Sequence, residues 1–115
     1  MFPKRGDLYR LKSDRVGKSR PIVVVSRDAL NSGQCVLAIP FYSKQLQKRR
    51  LQKWCVFFAK DEGGLDCDSV AKTDELTLID KLSIKISDGP IGTFDESQMK
   101  RLVDALKWSL DIEQV

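Results

Sequence analysis

A proline followed by four β-branched residues, Pro21-Ile22-Val23-Val24-Val25, constrains this chain more than any other stretch. Side chains branched at Cβ are stiff about χ1 and crowd a helix, and the run is too short to be one. It therefore reads as a buried strand. Pro21 has no N–H to give, so it suits the first position of such a strand, and it holds Arg20 in an extended conformation. Further apolar runs supply neighbours: Asp7–Leu11 as an opening strand, then Cys35–Tyr42, Trp54–Ala59 and Ser69–Ile79, with Ile91-Gly92-Thr93-Phe94 as a last short one. Asn31-Ser32-Gly33 and Glu62-Gly63-Gly64 are turn chemistry between them.

The apolar period changes after Asp95. Asp95 is a good N-cap, with Glu96 in the first turn and Gln98 where a capping box requires it. Met99, Leu102, Val103, Leu106 and Leu110 then fall on one helical stripe, expected to pack on the sheet. Ala105, Trp108 and Ile112 fall on the opposite face, which is expected to meet a subunit or partner, or else carries a stray exposed tryptophan. Short strands followed by one helix predict a mainly β fold with a C-terminal α-helix. The expected form is a strongly bent sheet of the SH3-like small-barrel kind, closed at one side by the helix. The 115 residues carry no linker or repeat, so one domain over 1–115 is expected.

Composition narrows the chemistry. Lys and Arg outnumber Asp and Glu by 20 to 16, but unevenly. Residues 1–60 hold fourteen basic residues against three acidic ones, and residues 61–115 hold six against thirteen. Such polarity suits a basic face for a polyanion, although solvated surface has the same signature. The chain has no histidine, which excludes a Ser-His-Asp triad, a Cys-His pair and a histidine acid/base couple. Three widely spaced cysteines (Cys35, Cys55, Cys67) form no CxxC pair, so no metal site and no cofactor are expected, and the thiols read as reduced. Gly63-Gly64 lacks the Lys-Ser/Thr of a phosphate loop. No apolar run is long enough for a membrane span, and Met1-Phe2-Pro3-Lys4-Arg5 lacks the apolar centre of a secretory signal, so a cytoplasmic protein is expected.

Three local features remain as candidate chemistry. Arg20, at the mouth of a buried strand, offers a planar, permanently charged fork suited to a phosphate, or is an ordinary ion-paired arginine. Ser43, at the end of the next strand, places a hydroxyl where it can reach a phosphate oxygen, or is a turn serine. The segment from Lys44 to Lys53 carries five positive charges (Lys44, Lys48, Arg49, Arg50, Lys53) and no acid. It reads as an exposed loop, either an electrostatic track for a nucleic-acid backbone or a solubilising surface. Tyr42 and Trp54 flank it, placed to stack on unpaired bases or to sit in the core. Lys72-Thr73-Asp74-Glu75 interrupts a strand-like stretch with a basic–acidic pair, fit for proton transfer or for a plain surface ion pair.

The order of these features along the chain is more telling than any one of them. Gly6-Asp7-Leu8-Tyr9, Arg20-Pro21-Ile22-Val23-Val24-Val25-Ser26, Gly63-Gly64-Leu65-Asp66-Cys67-Asp68-Ser69-Val70-Ala71 and the closing Ile91-Gly92-Thr93-Phe94 resemble the MazF/PemK family of toxin endoribonucleases. The resemblance runs from about Lys4 to Leu110. It implies an SH3-like barrel of the CcdB/PemK type, a homodimer, and neutralisation by an antitoxin protein whose disordered tail wraps the dimer. It also implies metal-independent cleavage of single-stranded RNA by attack of a ribose 2′-hydroxyl on the adjacent phosphate, with Arg20 in proton transfer and phosphate stabilisation. Ser43 stands at the family's strand-end threonine. Lys72-Thr73-Asp74 stands where some members carry Arg-x-Asp, with the aspartate as base. The twelve residues between Asp7 and Arg20 lack the family's usual Gly-Ser-Glu-Gln stretch, and Lys72 has the charge but not the fork of an arginine. Two other readings share the fold: a CcdB-like gyrase poison, whose Trp-Gly-Ile ending is not matched by Asp111-Ile112-Glu113-Gln114-Val115, and a catalytically inactive module that binds RNA or a partner.

Overall fold

The computed structural model describes residues 2–12 and 19–112; residues 13–18, within the interval from Asp7 to Arg20, and the ending from Glu113 lie outside them. Seven strands form the sheet: β1 (Asp7–Arg10), β2 (Pro21–Val24), β3 (Cys35–Tyr42), β4 (Cys55–Phe58), β5 (Ser69–Lys72), β6 (Thr77–Asp80) and β7 (Gly92–Thr93). One-turn helices α1 (Asp28–Asn31) and α2 (Leu46–Arg49) lie in connections, and α3 (Glu96–Ser109) ends the fold. Every pairing is antiparallel, in the order β4-β5-β3-β2-β1-β7. β3 is the longest strand and carries two partners on one edge: β6 along Cys35–Ala38 and β5 at Phe41–Tyr42. The sheet curls there into a half-barrel.

Strand alternation explains why Ile22, Val23 and Val24 are all fully buried. Val23 points to one side, into a core with Leu8, Ile39, Phe41, Phe58, Phe94 and Leu102. Ile22 and Val24 point to the other, into a second core with Tyr9, Val36, Ala38 and Ile84. The first core is aromatic at its centre: Phe58 and Phe94 stack at 4.4 Å between ring centroids, and Phe41 meets both edge-on at 6.0 Å.

The α3 capping box forms as read: the Asp95 carboxylate accepts from the Gln98 N–H at 2.8 Å, and the Gln98 side chain accepts from the Asp95 N–H at 2.8 Å. The helix packs Met99, Leu102 and Leu106 of the expected stripe against the first core. Its buried residues are Leu102 and Ala105, with Met99 and Leu106 packed alongside, whereas Leu110 lies past the last turn and is 53% exposed. Ala105 therefore faces inward rather than toward a partner, and Trp108 stacks on Trp54 at 5.8 Å. The expected strand Ser69–Ile79 is divided by a 3₁₀ turn, Thr73–Glu75. Thr73 is buried, and its hydroxyl donates to the Trp54 carbonyl at 2.8 Å while lying 2.7 Å from the Ser109 hydroxyl. Those tertiary bonds hold the turn against α3. The Glu62–Gly64 turn is pinned to β7: a Cβ at Gly92 would lie 2.1 Å from the Gly63 carbonyl oxygen, closer than any side chain permits.

Candidate nucleic-acid interface

The register of three strands assembles the site. Ile22 faces Pro40 across β2 and β3, which brings Arg20 beside the end of β3. There the Arg20 guanidinium donates to the Phe41 carbonyl at 2.9 Å and lies 3.9 Å from the centre of the Tyr42 ring. On the opposite edge of β3, Phe41 faces Ala71 and Tyr42 faces Val70, so Lys72 follows next to the same ring, 5.3 Å from its centre. Arg49, from α2, reaches the ring as well, at 4.9 Å. Three cations thus converge on one half-buried tyrosine.

One carboxylate completes the cluster. Glu75, at the end of the 3₁₀ turn, accepts from the Tyr42 hydroxyl with one oxygen and from the Lys72 ammonium, at 2.6 Å, with the other. Burial pushes the Tyr42 hydroxyl pKa up, and its bond to Glu75 pushes it further. The hydrogen bond to Glu75 holds Lys72 above its ordinary value, against burial. Burial acts to raise Glu75, but the bonds from Lys72 and Tyr42 and the nearby Arg20 charge prevail and hold it below the usual range. These shifts favour Glu75 as the carboxylate, Lys72 as the ammonium and Tyr42 as the neutral phenol.

The sequence candidates divide between two places. Ser43 and Lys44 stand exposed directly after Tyr42, and the Lys44 carbonyl accepts from Arg49 at 3.1 Å. Lys48 is exposed on α2. Arg50 and Lys53 turn the other way: Arg50 lies 4.1 Å over the Phe57 ring, and Lys53 is 6.0 Å from the Trp108 ring. Asp74 is exposed on the 3₁₀ turn, and its charge acts on Lys72. Tyr42 carries guanidinium against its ring and a bonded hydroxyl, and Trp54 is engaged by Trp108. Glu75 was not singled out from the sequence. The signal was its spacing, because residues three apart eclipse one another on a 3₁₀ turn and so place Glu75 on Lys72. Among the described residues no group of three or more His, Cys, Asp or Glu is gathered to hold a metal, and no helix is long and apolar enough to cross a membrane.

Comparison with known proteins adds the family-level finding. The family model described as PemK-like, MazF-like toxin of type II toxin-antitoxin system matches residues 4–110. No curated protein matches the sequence. Among solved structures, the chain is similar to an endoribonuclease from a mycobacterial species, solved in complex with its cognate antitoxin: 21% identity, TM-score 0.77, covering 98% of this chain and 99% of that one. It is similar to the Mycobacterium tuberculosis toxin MazF-mt6, at 20% identity and TM-score 0.75 over 94% and 99% of the two chains. It is also similar to a chain of the MazE-MazF complex from Deinococcus radiodurans, at 19% identity and TM-score 0.72 over 98% and 99%.

Proposed function

Because this chain belongs to the family of PemK-like, MazF-like toxins of type II toxin-antitoxin systems, we propose that it is an endoribonuclease that cuts single-stranded RNA without a metal ion. The observation that carries the reading is the cationic cluster on Tyr42, with Arg20 held over the ring at 3.9 Å beside the exposed Ser43. A pentacovalent phosphate develops negative charge, and a fixed guanidinium and a hydroxyl stabilise it where no histidine exists to do so. In the reaction the ribose 2′-oxygen bonds to phosphorus as the bond to the 5′-oxygen breaks. A 2′,3′-cyclic phosphate and a 5′-hydroxyl result. Asp74 takes the 2′ proton, Arg20 gives one to the departing 5′-oxygen, and both recover their starting states by exchange with water. Ser43 donates to a phosphate oxygen, while Lys72, Lys44, Lys48, Arg49, Arg50 and Lys53 supply the field that draws the strand in.

The same reading makes the curled sheet an SH3-like barrel of the CcdB/PemK type, the chain a cytoplasmic homodimer, and the partner an antitoxin. The mycobacterial endoribonuclease solved with its cognate antitoxin and the MazE-MazF complex from Deinococcus radiodurans support the last point. RNA cleavage by the wild type and by Arg20→Ala tests the proposal. Loss of one transition-state donor costs about a hundredfold or more in rate, so Arg20→Ala should be nearly inactive, Ser43→Ala similarly impaired and Ser43→Thr close to wild type. Cleavage should persist in EDTA and stop on RNA lacking the target 2′-hydroxyl. EDTA-sensitive cleavage, or equal cutting of deoxy-substituted RNA, overturns the mechanism.

A further inference from the structure

Lys72 is already engaged in the free protein. Its ammonium lies 2.6 Å from Glu75, its side chain is only 18% exposed, and the other oxygen of that carboxylate takes the Tyr42 hydroxyl. Arg20 and Arg49 lie against the same ring. One carboxylate, itself 37% exposed, therefore stands among three cations and occupies two donors. A phosphate oxygen accepts the same two bonds, from an ammonium and from a hydroxyl. Glu75 and the exposed Asp74 stand against Arg20, Arg49 and Lys72, which leaves one positive charge uncompensated and the cluster attractive to a further anion. A partly exposed ion pair of this kind opens at small cost.

We propose that Glu75 is a built-in competitor of the RNA phosphate, holding Lys72 and Tyr42 in the free protein and giving them up when a phosphodiester docks beside Arg20. The inference rests on the RNA reading above and adds to it a residue that sets affinity for the strand. Glu75→Gln keeps an oxygen for the Tyr42 hydroxyl and removes the competing charge. Its affinity for single-stranded 2′-O-methyl RNA, which cannot be cleaved, should rise about three- to tenfold at fixed salt. Glu96→Gln makes the same charge change at the far end of α3 from Ser109, and it should move affinity less than twofold. In a Lys72→Met background the gain from Glu75→Gln should also fall below twofold, because one of the donors it frees is gone.

An unchanged or weakened affinity of Glu75→Gln overturns the proposal. So does an equal gain in Glu96→Gln, or a full gain without Lys72. If Glu75→Gln does not fold, Glu75→Asp serves: its shorter arm cannot hold both donors, so it should tighten binding by a smaller factor, and no change overturns the proposal. Tightening in a protein that cleaves no RNA supports the competitor and removes the nuclease reading. Cleavage without tightening does the reverse, and failure of every variant and the wild type to bind RNA removes both.

Discussion

At the scale of single residues, Glu62 shows how the fold uses a carboxylate away from the cationic cluster. It accepts from the Ala59 N–H at 2.7 Å, from the Gln98 side chain at 3.2 Å and from Arg101 at 3.2 Å, tying the turn before Leu65 to α3. Burial acts to raise its pKa, yet these donors prevail and hold it below the ordinary 4.5. A carboxyl depressed in the folded state contributes stability that is complete above its unfolded pKa and is lost as pH falls through the folded one. Glu62→Gln should therefore be less stable than wild type at pH 7, with the gap narrowing at pH 4 and below; urea denaturation at the two pH values measures it. Arg20 and Lys72 carry local marks in the sequence, a proline after one and a charged interruption of a strand-like stretch after the other. Glu75 stands in that same interruption, three residues from Lys72, but its bond to Tyr42 joins distant parts of the chain and leaves no local mark.

At the scale of elements, α3 rests on its first turn. The reciprocal Asp95–Gln98 bonds satisfy donors that the helix itself cannot. Asp95→Ala should cost about 1 kcal/mol in urea denaturation, with α3 and the fold otherwise intact. This element, β2 and the full span of β3 could be read in advance, since capping chemistry, β-branching and an uninterrupted apolar run are local properties. The break at Thr73–Glu75 showed only as charge interrupting a strand-like stretch, and the 3₁₀ turn it forms did not show at all. What turns the chain there is the need of the Thr73 hydroxyl to reach the Trp54 carbonyl and Ser109, a contact across distant parts of the sequence. The expected stripe of α3 packs at Met99, Leu102 and Leu106, but a helix on a curved sheet buries what lies nearest its line of contact, which adds Ala105 and leaves Leu110 outside.

At the scale of the whole molecule, the basic and acidic halves of the sequence fold into one body, with Lys44, Arg49 and Arg20 brought to the end of β3. Affinity for single-stranded RNA should fall as salt rises, and the combined change Arg49→Ala, Arg50→Ala should make the slope of log affinity against log salt shallower by about one to one and a half, read by fluorescence anisotropy. A slope that does not move would make these arginines supports for Tyr42 and Phe57 alone. β3 has a consequence of a different kind. It pairs with β2 on one edge and with β6 and then β5 on the other, and its side chains enter both cores. The edge toward β6 can fray with that exposed strand, but the edge toward β2 joins two strands buried in both cores and opens only when the molecule opens as a whole. In deuterated water, the N–H of Ile39, which faces Val23 on β2, should be among the last to exchange, at the rate set by global unfolding, long after those of α2 and β7 have gone.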